Sequence, residues 1–174
     1  KGEFKQRIFE TKIDNSRNWR KKHWRSLEIW YQKAPYFKKY KNFFENLYSK
    51  KWEYLLDLDL EIIKYLTEVL GIKTPTVRSS KFRAKGKGTE HVVNICKEVG
   101  ANLLYDGKAA KGFIDEDLMK RNRIEIEYQD YQHPVYSQLY GQFIPYLSVI
   151  DLMFNCGKKS LDILVDEKEN AAQR

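Results

Sequence analysis

The stretch from Tyr128 to Gly157 carries most of the chemistry this chain could perform. It holds Gln129, His133, Pro134, Tyr136, Gln138, Ser148, Asp151, Asn155 and Cys156 in about thirty positions. His133 could act as a general base and Cys156 as a nucleophile, because a thiol attacks only as thiolate and needs a base or cation beside it to form one. The position of Cys156 argues against that role. It precedes Gly157 at an expected helix end, where the negative pole of the helix dipole favours the neutral thiol. His133 sits beside Pro134, a setting that suits a structural hydrogen bond as well as catalysis. Asp151 and Asn155 are four apart on one helix face, placed either to satisfy the preceding loop or to touch a substrate. Tyr128, Gln129, Tyr136, Gln138 and Ser148 complete this set of candidate substrate contacts.

A second candidate is Lys85-Gly86-Lys87-Gly88-Thr89-Glu90, at an expected helix start. Glycines let backbone N–H groups approach an anion, the helix N-terminus adds partial positive charge, and Lys85 and Lys87 add formal charge. The spacing matches neither the P-loop nor the dinucleotide fingerprint, and a flexible loop with a glycine-assisted helix start is the plainer alternative. A third candidate is Ser79-Ser80, at the end of an expected strand. Ligands of open parallel sheets sit outside the carboxyl ends of strands. Asp106-Gly107-Lys108 and Tyr128-Gln129 end two further expected strands on the same rim.

The elements that must position these groups fall into two stretches. The first, 14–71, is helical and rich in aromatics. Ile8 to Ile13 reads as a short strand before it, and Asp14-Asn15-Ser16 supply N-cap candidates. Helices are expected over Arg17–Gln32, from Pro35 to about Tyr48, and over Asp57–Leu70, where Leu58, Ile62, Leu66 and Val69 share a face and Gly71 closes the helix. The second stretch, 74–165, alternates strands and helices. Strands are expected at Thr76–Ser79, Ala101–Tyr105 and Ile124–Tyr128, and helices at Gly88–Val99, Ile114–Arg121, Leu147–Asn155 and Ser160–Leu164. That order predicts an α/β fold: a mostly parallel sheet with βαβ crossovers, preceded by an aromatic-rich helical segment. Residues 1–165 read as a single domain and 166–174 as a polar tail. Cys96 lies on an apolar helical stripe and reads as core.

Length and composition bound the function. The chain has 174 residues, 42% hydrophobic and 14% aromatic, enough for a substantial core. No apolar run approaches the roughly 18–20 residues a membrane span needs, and no secretory signal is visible. Two cysteines make no disulfide scaffold and no metal clamp, which points to a reducing cytosol. A net charge of +8 admits nucleic acid, acidic lipid or a phosphorylated small molecule. Arg17, Arg20, Lys21, Lys22 and Arg25, with Trp19 and Trp24 between them, could bind nucleic acid, but a solvated helix face with its tryptophans turned inward is the preferred reading.

Several of these segments together resemble the WbqC-like protein family. They are Asp14-Asn15-Ser16-x-Asn18-Trp19-Arg20-Lys21-Lys22-His23-Trp24, Ala34-Pro35-Tyr36-Phe37, Gly86-Lys87-Gly88-Thr89-Glu90 and Ile95-Cys96-Lys97-x-x-Gly100-Ala101. Tyr128-Gln129-x-Tyr131-x-His133-Pro134-Val135-Tyr136-x-Gln138 is another. The clearest is Phe143-x-Pro145-x-Leu147-Ser148-x-Ile150-Asp151-Leu152-x-Phe154-Asn155-Cys156-Gly157. Members usually begin with a His-Gln-Pro-type motif, and the resemblance implies that this chain starts beyond that segment. It departs from the family at Asp106-Gly107-Lys108, where relatives tend to carry Ser-Gly-Pro. The family is common in bacterial surface-polysaccharide gene clusters, and the resemblance implies transfer of glycine or another acyl group to an amino sugar.

The expected function is therefore an acyl or aminoacyl transferase acting on a nucleotide-linked amino sugar in O-antigen-type biosynthesis. Lys85 to Thr89 would hold a phosphate, Tyr128 to Cys156 would form the acceptor pocket and His133 would be the base. A non-catalytic binding or scaffold protein of the same pathway is the alternative, and a basic nucleic-acid binder comes third. Nothing in the sequence names a cofactor or an oligomeric state.

Overall fold

A computed structural model of the chain describes residues 6–165. The tail expected at 166–174 lies outside the described residues. The chain divides into two compact units, Lys1–Lys73 with His133–Arg174, and Thr74–Gln132.

The first unit is helical. Helices α1 (Trp19–Tyr31), α2 (Phe37–Ser49) and α3 (Leu55–Leu70) are followed, after the excursion through the second unit, by α6 (Val149–Cys156) and α7 (Ser160–Val165). Phe37, Tyr40, Phe44 and Leu47 of α2 recur at helical spacing and are all buried. Phe154 of α6 sits fully buried among Tyr31, Phe37 and Phe44, with ring centroids 5.1, 5.2 and 5.6 Å away. Burying such a ring contributes about 1.5–3 kcal/mol, and each aromatic pair adds about 0.5–1.5 kcal/mol. This packing fixes the rotation of α6, and so the direction in which its polar residues point.

The second unit is a small α/β layer. Strands β1 (Leu103–Gly107) and β2 (Glu125–Gln129) pair in parallel, with Leu104 opposite Ile126. Helix α5 (Glu116–Arg121) lies in the connection between them, and α4 (Thr89–Val99) precedes β1. Val93, Cys96, Met119 and Ile124 form the buried cluster. Cys96 is core, as its stripe implied. Asp115 caps α5 by accepting from the Leu118 amide at 2.8 Å.

The α/β class, the parallel pairing and the aromatic-rich helical region agree with the sequence. Three local expectations do not. Thr76–Arg78 forms no strand, and Ser79–Lys81 is a 3₁₀ turn. Pro75 brings no N–H to a ladder, and the exposed stretch 71–81 offers Val77 no apolar partner to bury it. Ser79 and Ser80 therefore end no strand, and the rim keeps two strand ends rather than three. Ile8–Glu10 is likewise a 3₁₀ turn, followed by one antiparallel bridge between Lys12 and Tyr54. Helix α1 begins at Trp19, and the Asp14 and Asn15 side chains are engaged elsewhere than at its cap. Asp14 accepts from the Ser16 amide at 2.9 Å, and Asn15 donates to the Ile13 and Trp52 carbonyls.

Candidate functional site

In the first unit the polar residues of α6 and of the loop before it converge on one carboxylate. Asp151 is 4% exposed. Its Oδ2 accepts from the Tyr136 hydroxyl at 2.8 Å and from Gln138 Nε2 at 3.0 Å, while Oδ1 accepts from Asn155 Nδ2 at 3.3 Å. The Tyr31 phenol of α1 lies close enough to feel the charge of the same side chain. A carboxylate offers about four acceptor positions, and three of this chain's own donors occupy them here. Asp151 thereby ties Tyr136, Gln138 and Asn155 to one point.

Gln138 passes that constraint on to the loop. It donates to the Ile144 carbonyl at 3.0 Å and accepts from the Ile144 amide at 2.8 Å, clamping the two ends of a tight excursion. Asn155 also donates to the Asp151 carbonyl at 2.8 Å. Ser148 caps α6, its hydroxyl accepting from the Ile150 amide at 3.3 Å. Four of the sequence candidates thus build this node: Tyr136, Gln138, Asp151 and Asn155. Ser148 is engaged as a helix cap.

The node also sets the acidity of its members. Burial first, and then the hydrogen bond to Asp151, push the Tyr136 phenol far above its ordinary range. Burial and the Asp151 charge do the same to Tyr31. The half-buried Cys156 thiol is raised by burial and by the charge of Asp151, against a smaller opposing effect of Lys159. A raised thiol stays protonated at neutral pH, which is the wrong direction for a nucleophile.

His133 stands at the start of the braced loop. Its Nδ1 lies 2.8 Å from the Pro134 carbonyl, which can only accept, so this hydrogen bond calls for a proton on Nδ1. Its ring lies among Tyr146, Phe143 and Tyr136, with centroids 5.0, 5.8 and 6.2 Å away. Tyr146 takes a left-handed backbone conformation, φ 60°, that is uncommon for an aromatic residue.

A family model described as the WbqC-like protein family matches residues 1–163. The chain belongs to that family. An "Uncharacterized protein Rv1507c" of Mycobacterium tuberculosis (strain ATCC 25618 / H37Rv) is 32% identical over 166 residues, covering 94% of this chain and 71% of the relative. No solved structure matches the chain at a significant level.

Two motifs that carried the WbqC-like resemblance meet at Gly157. The Tyr36 amide donates to the Phe154 carbonyl at 3.0 Å, and the Tyr36 ring lies where a side chain on Gly157 would stand, 2.5 Å from a Cβ there. Gly157 also holds φ 61° with ψ −124°, a conformation open essentially to glycine alone. The Ala-Pro-Tyr-Phe and Asn-Cys-Gly motifs are thus two sides of one contact. Sequence reasoning missed Tyr31 and Tyr36 as members of the site. The signal for Tyr31 was weak, because it shares the apolar face of α1 with Trp24 and Leu27.

The remaining candidates lie in the second unit. Lys85, Gly86, Lys87 and Gly88 are exposed, with φ of 96° at Gly86 and 54° at Gly88. Thr89 is buried and its hydroxyl accepts from the Asp115 amide at 2.9 Å. The Glu90 carboxylate lies over Gly86, within 2.9 Å of where a Cβ would be. Tyr128 donates its hydroxyl to Glu116 at 2.9 Å, and burial followed by that bond raises its phenol. Gln129 ends β2, and Ser79 and Ser80 lie exposed in their turn. Among the described residues no group of three or more His, Cys, Asp or Glu could hold a metal, and no helix is long and apolar enough to cross a membrane.

Proposed function

We propose that this protein transfers an acyl or aminoacyl group, of which glycyl is one, to the amine of a nucleotide-linked amino sugar during assembly of a bacterial surface polysaccharide. A sugar ammonium must lose a proton before its nitrogen can attack. The nitrogen then bonds to the carbonyl carbon of an activated donor, and the donor's leaving group departs with the electron pair. His133 Nε2 takes the proton the nitrogen sheds. The observation that carries this reading is the 2.8 Å contact between His133 Nδ1 and the Pro134 carbonyl, on a loop that Gln138 and Asp151 brace. Tyr136, Gln138, Asp151 and Asn155 position that loop, and Cys156 takes no covalent part.

In the second unit, taken by itself, Lys85 to Thr89 is proposed as a phosphate-binding loop. The exposed lysines and the start of α4 support it, and Glu90 would have to swing off Gly86 to admit an anion. Tyr128 and Gln129 are proposed as further substrate contacts, while Ser79 and Ser80 lose the strand-end argument that nominated them.

The test is incubation of the full chain with a panel of nucleotide-linked amino sugars and activated aminoacyl donors, followed by mass spectrometry of the sugar. A mass gain of one acyl group is expected. Tight binding of a nucleotide sugar with no turnover would instead assign a scaffold role, and neither binding nor turnover would remove the proposal.

A further inference from the structure

The positive charge of this chain is concentrated in one hairpin. Between Arg17 and Lys51 there are eleven Lys and Arg against two Glu, so that stretch holds the whole net charge of +8 while the rest nearly balances. On α1, Trp19, Trp24, Leu27 and Tyr31 pack against the core, whereas Lys21, Lys22, Arg25 and Ile29 lie exposed on the other side. Arg25 pairs with Glu28 at 3.5 Å, and Lys21 and Lys22 make no ion pair among the described residues.

This basic face does not end in polar side chains. Trp30 is 61% exposed and meets Tyr140 edge-on at 6.2 Å, which carries the surface from α1 onto the loop before α6. There Ile144 is 57% and Tyr146 is 77% exposed. We propose that the outer face of α1, together with Trp30, Ile144 and Tyr146, docks this protein on an anionic lipid surface. Lysine and arginine are drawn to the headgroup charge, and exposed aliphatic and aromatic side chains gain by entering the boundary with the acyl chains. Tryptophan and tyrosine favour that boundary because their rings are apolar and their tips polar. A nucleic acid would reward the cations and the aromatic rings, but not Ile29 and Ile144, and this decides between the two anionic partners. The proposal stands apart from the transfer reaction, since it concerns where the protein sits.

Flotation of the full chain with vesicles tests it. Phosphatidylcholine vesicles should not retain the protein, vesicles that also contain phosphatidylglycerol should, and added salt should release it. The triple variant Lys21→Ala, Lys22→Ala, Arg25→Ala should lower partitioning about 100-fold. Trp30→Ser and Ile144→Ser should each lower it about tenfold and leave the salt dependence in place. Circular dichroism confirms that each variant is folded. Equal affinity for neutral vesicles, no binding to anionic vesicles at low salt, a folded triple variant that binds like the parent, or tighter binding to oligonucleotides than to anionic vesicles would each overturn it.

Discussion

Tyr136 donates its phenolic hydrogen to Asp151 Oδ2 at 2.8 Å, joining a loop to a helix across 15 positions of sequence. Removing the donor leaves a buried carboxylate one partner short. Tyr136→Phe should therefore lower stability by about 1–3 kcal/mol, read from the urea midpoint at unchanged slope. Asp151→Ala removes the acceptor of three donors and should cost at least as much. A Tyr136→Phe protein as stable as the parent would show that the bond does not hold the loop.

The same pair predicts a pH dependence. The Tyr136 and Tyr31 phenols are raised above their ordinary value of 10.0, so the folded chain holds these protons more tightly than the unfolded one. Their contribution is fully present below about pH 10 and is lost as pH rises toward the folded values. Thermal unfolding should thus shift to lower temperature above about pH 10. In Tyr136→Phe that alkaline fall should be shallower. An identical fall in both proteins would place its cause elsewhere.

Gly157 is held by its backbone angles and by the Tyr36 ring together. Gly157→Ala should cost about 2–5 kcal/mol, from the strained conformation and from overpacking. The two parts separate in a double-mutant cycle. In a Tyr36→Ala background the steric part disappears and the Gly157→Ala cost should shrink, while the backbone part stays. Purely additive costs would mean that the ring plays no part.

For the proposed transfer, His133→Ala should lose about 10²–10⁴-fold in rate, the usual worth of a positioned general base. Cys156→Ala should lose less than about tenfold, because its thiol is raised and protonated. The measurement is turnover of the acyl acceptor by each folded variant. An acyl-enzyme trapped on Cys156, with turnover abolished in Cys156→Ala, would reverse the two assignments.

Much of this was legible in the chain. The burial of Phe37, Tyr40, Phe44 and Leu47 follows from their spacing, and Gly71 and Gly100 close their helices in the left-handed conformation that glycine adopts freely. Cys96 reads as core from its stripe, β1 from a short apolar run, and β2 from the alternation of Ile124, Ile126 and Tyr128. Thr76–Ser79 misled because short β-prone runs carry no information about whether a neighbouring strand exists to pair with them. The N-caps proposed at Asp14 to Ser16 misled for a related reason. Short polar side chains cap a helix or close a turn with equal ease, and the Trp52 carbonyl, 37 positions away from Asn15, took one of them.

By itself the sequence determined most of the elements, the family and the residues worth suspecting, because periodicity, caps and motifs are local properties. Tertiary structure alone decided what those residues bond to. Phe154 locks α6 into an aromatic cluster built by α1 and α2, and that rotation turns Asp151 toward Tyr31, Tyr136 and Gln138. None of those partners lies within a few positions of it. A carboxylate's role depends on which donors surround it and how far it is from water, and both are set by packing between segments that are distant in the chain.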